Sequence, residues 1–225
     1  MHQVNKLKLF LLNAIVFLSA ALQNLVVSAA ENAEPVFQDN FQGQLADGWD
    51  WIRQNPSHWN VRDGNLQIRV VPGRADTVEN ALVRPAPLRS EASFAIDLTV
   101  TNDSVPTEQW EQAGITWYQN GKPIFKLVKE LVDGKVMIIP GRKLVNRQTV
   151  DLRLVVTADS YTALYREKGE KDFQVAANGK LPPGENEQVS IQCYHGPPDA
   201  EHWMVFSNFR IRKLAVDANP RRALP

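Results

Sequence analysis

Lys126 and Glu130 are two charged residues of the segment FKLVKE (125–130), and each lies two positions from Val128. Residues two apart in a β-strand point to the same face, so these three side chains share one face of a sheet. Each ion would lose much of its hydration energy in a dry core, which predicts that this face is open. There the ammonium and carboxylate groups could orient the hydroxyl groups of a sugar. A solvated ion pair of small energetic value is the competing interpretation, and the sequence leaves both open.

Tryptophan and tyrosine rings near these charges could stack on a pyranose, because a flat apolar ring complements the C–H face of a sugar. Core packing is the alternative for each ring, since so large an apolar side chain is usually buried. The predicted carbohydrate-binding residues are Trp117, Lys126 and Glu130, with Trp110, Tyr118 and Trp51 as further candidates.

Catalytic chemistry is less well supported by the sequence. Hydrolysis of a glycosidic bond needs two carboxyl groups about 5 to 10 Å apart. Glu130 has no acidic residue two positions before or after it, and Asp97 and Asp151 stand alone in their segments. The sequence therefore favours a binding protein over an enzyme and predicts no catalytic residue.

Metal and disulfide chemistry are disfavoured as well. The histidines are scattered without ligand spacing, so no metal site is predicted from them. Cys193 is the single cysteine and rules out an intramolecular disulfide. It alternates with Val189 and Ile191, which predicts a small buried side chain, and no cofactor is expected.

Alternation of apolar and polar residues predicts that β-strands position these groups. It places four sets of side chains on buried faces: Ala92, Phe94, Ile96, Leu98 and Val100; Val150, Leu152, Leu154 and Val156; Leu66, Ile68 and Val70; and Trp203, Val205, Phe209 and Ile211. Four dipeptides predict tight turns, namely Asp63-Gly64, Asn120-Gly121, Asp133-Gly134 and Asn178-Gly179. About a dozen short strands without a convincing helix predict an all-β sandwich or barrel.

The turn at Asn120-Gly121 allows two strand registers. A two-residue turn pairs Trp117 with Ile124 and places Trp117 on the face of Lys126. A longer connection that shifts the pairing by one residue joins Trp117 to Phe125 instead and leaves Lys126 on the opposite face.

The first thirty residues have the order of a secretory signal peptide. Lys6 and Lys8 precede an apolar run that ends in small residues, which predicts cleavage after Ala29 or Ala30. An uncleaved membrane anchor is the alternative, although Asn13 interrupts the run.

The predicted organisation is a signal peptide over residues 1–30, a sandwich over 31–213 and a flexible tail over 214–225. We expect a secreted or periplasmic protein with no stable membrane insertion after cleavage. The 25 basic and 25 acidic residues form no basic block, which argues against nucleic acid as a partner. A polysaccharide or glycan is the expected partner of a monomer.

Three separated blocks of the sequence resemble a known family. They are DGWDWIRQNPSHW with GNLQIR (47–59 and 64–69), EQAGITWY with FKLVKE (111–118 and 125–130), and IQCY with VFSNFRI (191–194 and 205–211). Together they resemble the concanavalin-A-like lectin/glucanase superfamily. Within it the chain is most similar to the domain shared by C-terminal modules of bacterial β-xylosidases and by fungal regulation-of-enolase proteins.

This resemblance implies a jelly-roll sandwich of two curved antiparallel sheets with one concave face. Several relatives bind or process carbohydrate, and catalytic ones carry an acid-x-Asp-x-x-acid run that this chain lacks. A structural calcium between the first and last strands is also common in relatives. Asp39 could contribute to one, but Ser207-Asn208 stands where many relatives have an acidic residue.

The expected function is therefore non-catalytic carbohydrate binding on the concave face. A glycoside hydrolase or lyase of the same fold and an envelope interaction module are the alternatives. Fold alone does not decide among the three.

Overall fold

Antiparallel β-strands form nearly all the regular structure of residues 34–214, the part of the chain that the computed structural model describes. The strands are β1 (Pro35–Asp39), β2 (Asp50–Ile52), β3 (Trp59–Arg62), β4 (Asn65–Val70), β5 (Ala81–Pro85), β6 (Phe94–Asn102), β7 (Gln112–Gln119), β8 (Lys122–Val132), β9 (Lys135–Ile139), β10 (Lys143–Leu144), β11 (Thr149–Val156), β12 (Ser160–Glu167), β13 (Gln174–Lys180), β14 (Gln188–Tyr194) and β15 (His202–Lys213). A single turn of 3-10 helix spans Pro56–His58.

The strands form two sheets. Sheet A has the order β13-β12-β11-β6-β15-β4-β3, and β1 also pairs with β15. Sheet B has the order β10-β9-β8-β7-β14-β5-β2. Apolar side chains from one face of each sheet meet between the sheets and form the core, which is the arrangement of a β-sandwich.

Three of the four predicted buried faces are confirmed. Phe94, Ile96, Leu98 and Val100 on β6 lie in the core, as do the predicted residues of β4 and β11. Ala92 precedes β6 and is only partly buried. Cys193 is also completely buried there, beside Val189 and Ile191 on β14. Period-two alternation identified these faces because each strand runs without interruption.

The prediction for β15 was wrong in its first half. Met204 and Phe206 lie in the core with Phe209 and Ile211, whereas Trp203 is only partly buried. A β-bulge between Ser207 and Arg210 inserts one extra residue opposite β6 and reverses the alternation. Asn208 adopts the left-handed conformation there, with φ of 56°.

Three of the four predicted turns join adjacent strands. Asp63-Gly64, Asn120-Gly121 and Asp133-Gly134 connect β3 to β4, β7 to β8 and β8 to β9, and both residues of each pair have positive φ. This is the geometry of the two-residue type I′ turn. Asn178-Gly179 was a wrong prediction, because both residues lie inside β13 and pair with β12.

The hairpin of β7 and β8 combines both registers that the sequence allowed. Gln119 pairs with Lys122, as a two-residue turn requires. A bulge one step further then makes Ile124 an extra residue, so that Trp117 pairs with Phe125. Trp117 consequently points to the opposite face from Lys126.

The predicted signal peptide and nearly all of the predicted tail lie outside the described residues. No helix within residues 34–214 is long and apolar enough to cross a membrane.

Candidate functional site

The outer face of sheet B, which points away from the core, carries the polar side chains of β7, β8 and β14. Ile115, Leu127 and Ile191 point into the core from these strands. The residues next to them must therefore point outward. The outward set is Gln112, Thr116 and Tyr118 on β7, Lys126 and Glu130 on β8, and Ser190, Gln192 and Tyr194 on β14.

Lys126, Glu130 and Gln112 form a connected polar network on this face. Lys126 Nζ donates to Glu130 Oε2 at 2.8 Å and to Gln112 Oε1 at 2.7 Å. Gln112 also pairs with Glu130 across the β7–β8 ladder. The Lys126 side chain is 32% exposed and that of Glu130 only 6%, so the ammonium group is the accessible end of the network.

Trp110 presents an exposed ring beside this network. The indole is 52% exposed, and the Trp110 carbonyl oxygen accepts a hydrogen bond from Gln112 Nε2 at 2.7 Å. Its backbone has φ of 70°, a left-handed conformation that is costly for a bulky side chain. The Trp110 ring lies 6.0 Å from the ring of His195, whose φ is 60°. Two adjacent aromatic residues are thus held in strained conformations at one place, a pattern that is frequent at functional sites.

The pKa of the His195 imidazole is lowered, which favours the neutral form. Partial burial lowers its pKa, the positive charges of Lys126 and Arg74 act in the same direction, and Glu130 opposes them. The ring of Tyr194 lies 5.5 Å from that of His195, and the neutral form of its phenol is favoured as well. Burial raises the pKa of its phenol, and the Glu130 carboxylate raises it further. His195 can therefore accept a proton or hydrogen bond, and Tyr194 remains a protonated donor.

The segment 71–80 covers the centre of the same face. Tyr118 is buried beneath it, with its hydroxyl 2.7 Å from the carbonyl oxygen of Ala75 and 2.9 Å from Gln192 Oε1. Val78 of this segment is buried as well. The face is therefore not an open groove along its length. What remains is a cavity of about 210 Å³ lined by Ala75, Thr116, Pro123, Ile124, Phe125, Lys126 and Tyr194.

The predicted site residues fall into three groups. Lys126 and Glu130 share the outer face of sheet B, and Trp110 stands next to them. Tyr118 lies on the same face but is covered. Trp117 and Trp51 lie elsewhere.

The prediction that Trp117 contributes to a binding surface was wrong. Its side chain is completely buried in the core, where it stacks against Phe94 with ring centres 6.1 Å apart. The bulge at Ile124 is the physical reason, because it rotates Trp117 away from Lys126. Trp51 also faces the core from the edge strand β2 and packs against Trp59 at 4.6 Å.

Sequence reasoning missed Gln112, Tyr194 and His195. Gln112 could have been found by its parity with Thr116 and Tyr118 once the register of the hairpin was known. Tyr194 ends β14 and His195 directly follows it; β14 pairs with β7 across about seventy residues of chain. No local signal indicates that pairing.

The residues at the first and last strands do not fit a calcium ion. Asp39 accepts hydrogen bonds from the backbone N–H groups of Phe41 and Ala46 and from Trp49 Nε1, at 2.7 to 3.0 Å. Its nearest charge partner is the guanidinium of Arg84, which would repel a cation. Within residues 34–214 there is no cluster of three or more His, Cys, Asp or Glu side chains that could hold a metal. Asp39 instead fixes the loop between β1 and β2.

Similarity to known proteins is found at the level of structure. No protein-family model matches the sequence, and no curated protein matches it significantly. The GH43 BlXynB protein from Bacillus licheniformis has a TM-score of 0.66 at 17% identity, over 80% of this chain and 40% of that one. The chain thus spans about two fifths of that protein's length.

Smaller proteins are matched over most of their length. An alginate lyase from Klebsiella pneumoniae has a TM-score of 0.53 at 12% identity, over 72% of this chain and 86% of that one. The CBM2 module of the evolved Dit protein of Lactobacillus casei BL23 phage J-1 also has a TM-score of 0.53 at 12% identity, over 82% and 97%.

At these identities the matches establish the fold and nothing narrower. The similarity to C-terminal modules of β-xylosidases stays a prediction. Two packed antiparallel sheets with this topology give the chain the fold of a jelly-roll β-sandwich.

Proposed function

We propose that the protein binds carbohydrate on the outer face of sheet B without cleaving it. The observation that carries the proposal is the exposed residue Trp110, which Gln112 links by hydrogen bonds to the ion pair of Lys126 and Glu130. An aromatic platform and fixed polar groups are the two elements that a sugar needs, one for its C–H face and one for its hydroxyls.

The bound ligand is expected to be short, such as the end of a glycan chain. The segment 71–80 covers the centre of the face, so a long polysaccharide has no continuous path across the sheet. The shallow cavity of about 210 Å³ beside Lys126 provides one part of the site. Trp110 and His195 then provide its exposed rim.

Binding without hydrolysis is supported by the arrangement of carboxyl groups. Hydrolysis requires two carboxyl groups on opposite sides of the scissile bond. The seven residues that line the cavity include none, and the nearby Glu130 is paired with Lys126 at 2.8 Å. The similar glycan-related proteins are consistent with a carbohydrate partner, although their activities do not transfer by fold.

The test is glycan binding by variants of this site. Trp110→Ala is expected to weaken binding of a glycan-array hit by at least about tenfold, because one stacking contact is lost. Glu130→Gln should weaken it to a similar extent by removing the ion pair. Trp203→Ala, which removes a partly buried tryptophan from sheet A, is the matched control and should bind like the wild type.

Unchanged binding by both Trp110→Ala and Glu130→Gln would contradict the proposal. Failure of the wild-type protein to bind any glycan would replace it with the interaction-module alternative. The covered centre of the face, with Tyr118 beneath Ala75, favours that alternative.

A lyase is the second candidate, and the neutral imidazole of His195 favours it. A base near Tyr194 could remove a proton next to a carboxylate in a uronic acid. Release of unsaturated products from an acidic polysaccharide, abolished in His195→Gln, would establish this activity. The ultraviolet absorbance of these unsaturated products measures the lyase activity directly.

Export remains part of the proposal and is supported by the composition of residues 1–30. A secreted form whose N-terminus follows Ala29 or Ala30 is the expected product. A monomeric state and a sandwich over 31–213 are proposed with it.

A further inference from the structure

A second depression lies on the outer face of sheet A, on the side of the molecule opposite to the proposed glycan site. It has a volume of about 300 Å³. We call it the arginine pocket and define it by its charged lining residues, Asp97, Asp151, Arg153, Arg166, Arg210 and Arg212.

Strand register brings these side chains together from four neighbouring strands. Asp97 on β6 pairs with Arg153 on β11 and with Arg210 on β15. Asp151 on β11 pairs with Arg166 on β12. The bulge at Asn208 keeps Phe209 and Ile211 in the core, and for that reason Arg210 and Arg212 both point outward.

Both carboxylates of the pocket are already used by arginines. Asp97 accepts from Arg153 Nε at 2.6 Å and also contacts Arg212. Asp151 accepts from Arg166 at 2.8 and 3.1 Å and from the Thr99 hydroxyl at 2.7 Å. Both carboxylates are thus engaged by guanidinium groups, and Arg210 adds a further positive charge to the lining.

Arg210 has no partner of its own. Its side chain forms no hydrogen bond or ion pair within residues 34–214, and Nε is buried without an acceptor. A buried donor without an acceptor is costly and rare in folded proteins. Phe173 meanwhile stacks on two neighbouring guanidinium groups, 4.2 Å from Arg153 and 4.5 Å from Arg166, and holds their planes in place.

The pocket continues into a wider depression of about 610 Å³ along the same face. The two share Thr99, Asp151, Arg166 and Asn208. The side chains that line the wider part are mostly hydroxyl and amide groups, including those of Asn65, Thr101, Thr149 and Ser207. Such groups match a ligand that is neutral and rich in hydroxyls beyond its anionic group.

We propose that the arginine pocket binds an oxyanion, a carboxylate or a sulfate, carried by an acidic polysaccharide. The anionic group pairs with the guanidinium of Arg210 and offsets its positive charge. The hydroxyls of the sugar chain lie along the threonines and asparagines of the wider depression. This site is independent of the proposed glycan site on sheet B.

The experiment compares dextran sulfate, carboxymethyl dextran and neutral dextran by titration calorimetry. The three polymers share one backbone and differ in the attached anionic group. Their comparison therefore isolates the effect of that group and distinguishes sulfate from carboxylate. We expect binding of at least one charged polymer, no binding of neutral dextran, and weaker binding as salt is raised. Arg210→Gln should weaken binding by about tenfold or more through loss of a charge-assisted hydrogen bond.

Two controls separate this site from non-specific charge and from the other face. Arg142→Gln removes the same charge at an exposed turn, where Arg142 pairs with Asp133, and should change affinity less than about twofold. Lys143→Gln, on the exposed edge strand β10 of sheet B, should leave binding of the charged polymer unchanged. Equal losses in the Arg142 and Arg210 variants, or no binding of either charged polymer, would overturn the proposal.

A measurement on the unaltered protein avoids any effect of substitution on folding. The NMR signal of the Arg210 Nε–H group is expected to shift during titration with sodium sulfate or sodium acetate, while that of Arg142 does not. An Arg210 signal that is insensitive to both anions would also overturn the proposal.

Discussion

Lys129 is a buried charge that belongs to neither pocket. Its side chain points from β8 toward the core edge, where Nζ donates to the carbonyl oxygens of Arg147 and Gln148 at 2.9 and 2.6 Å. Burial lowers the pKa of Lys129 to about 8, and the carboxylate of Glu167 only partly opposes this effect. These two hydrogen bonds hold residues 147 and 148, which lead into β11, in place.

The lowered pKa predicts how the free energy of unfolding changes with pH. The pKa of an unfolded lysine is about 10.4, so between about pH 8 and 10 the unfolded chain binds more protons than the folded one. The free energy of unfolding should therefore rise with pH, by about 1 to 2 kcal/mol from pH 8 to 9.5.

Urea unfolding of the wild type and Lys129→Met at these two pH values measures the effect. The variant should lose the rise, whatever its absolute stability. An equal slope in both proteins would show that Lys129 is not the group responsible.

At the scale of single elements, β15 depends on the conformation of Asn208. This residue has φ of 56°, which asparagine and glycine tolerate and β-branched residues do not. Asn208→Gly should change the free energy of unfolding by less than about 1 kcal/mol, whereas Asn208→Val should lower it by about 1 to 2 kcal/mol. Chemical denaturation of the two variants measures this difference. Equal stability of the variants would mean that the bulge does not require the left-handed conformation at residue 208.

The same bulge shows where sequence-based prediction of the elements ends. Alternation gave the buried faces of β4, β6 and β11 because their apolar residues follow one uninterrupted period. One inserted residue at Asn208 reverses the predicted face of Trp203, and another at Ile124 reverses that of Trp117. Neither insertion alters the composition of its strand in a way that the sequence would reveal. Asn178-Gly179 has the residues of a turn, yet a Cβ on Gly179 would lie 3.1 Å from the ring of Tyr161, so cross-strand packing explains that glycine.

Only the part of the candidate site that lies on a single strand could be predicted from the sequence. The shared face of Lys126 and Glu130 followed from their spacing on one strand. The positions of Tyr194 and His195 depend on the long-range pairing of β14 with β7, and the covering of Tyr118 depends on the path of the segment 71–80. Neither contact leaves a pattern in the neighbouring sequence.

At the scale of the whole molecule, Cys193 reports on opening of the sandwich. Its thiol is completely buried in the core, and burial raises its pKa far above the usual range. A thiol reagent should therefore react with the folded protein at least about a hundredfold more slowly than with the protein in urea, because reaction requires opening of the core. Rapid labelling of one thiol per chain without urea would show that the two sheets separate readily.

The pairing of β1 with β15 determines where neighbouring parts of a chain would attach. Pro35 and Arg212 are partners in this ladder, and partners in an antiparallel ladder lie about 5 Å apart. The backbone thus enters and leaves the sandwich at one corner. A domain, tether or surface joined at this corner would leave the outer faces of both sheets free to contact different molecules at once.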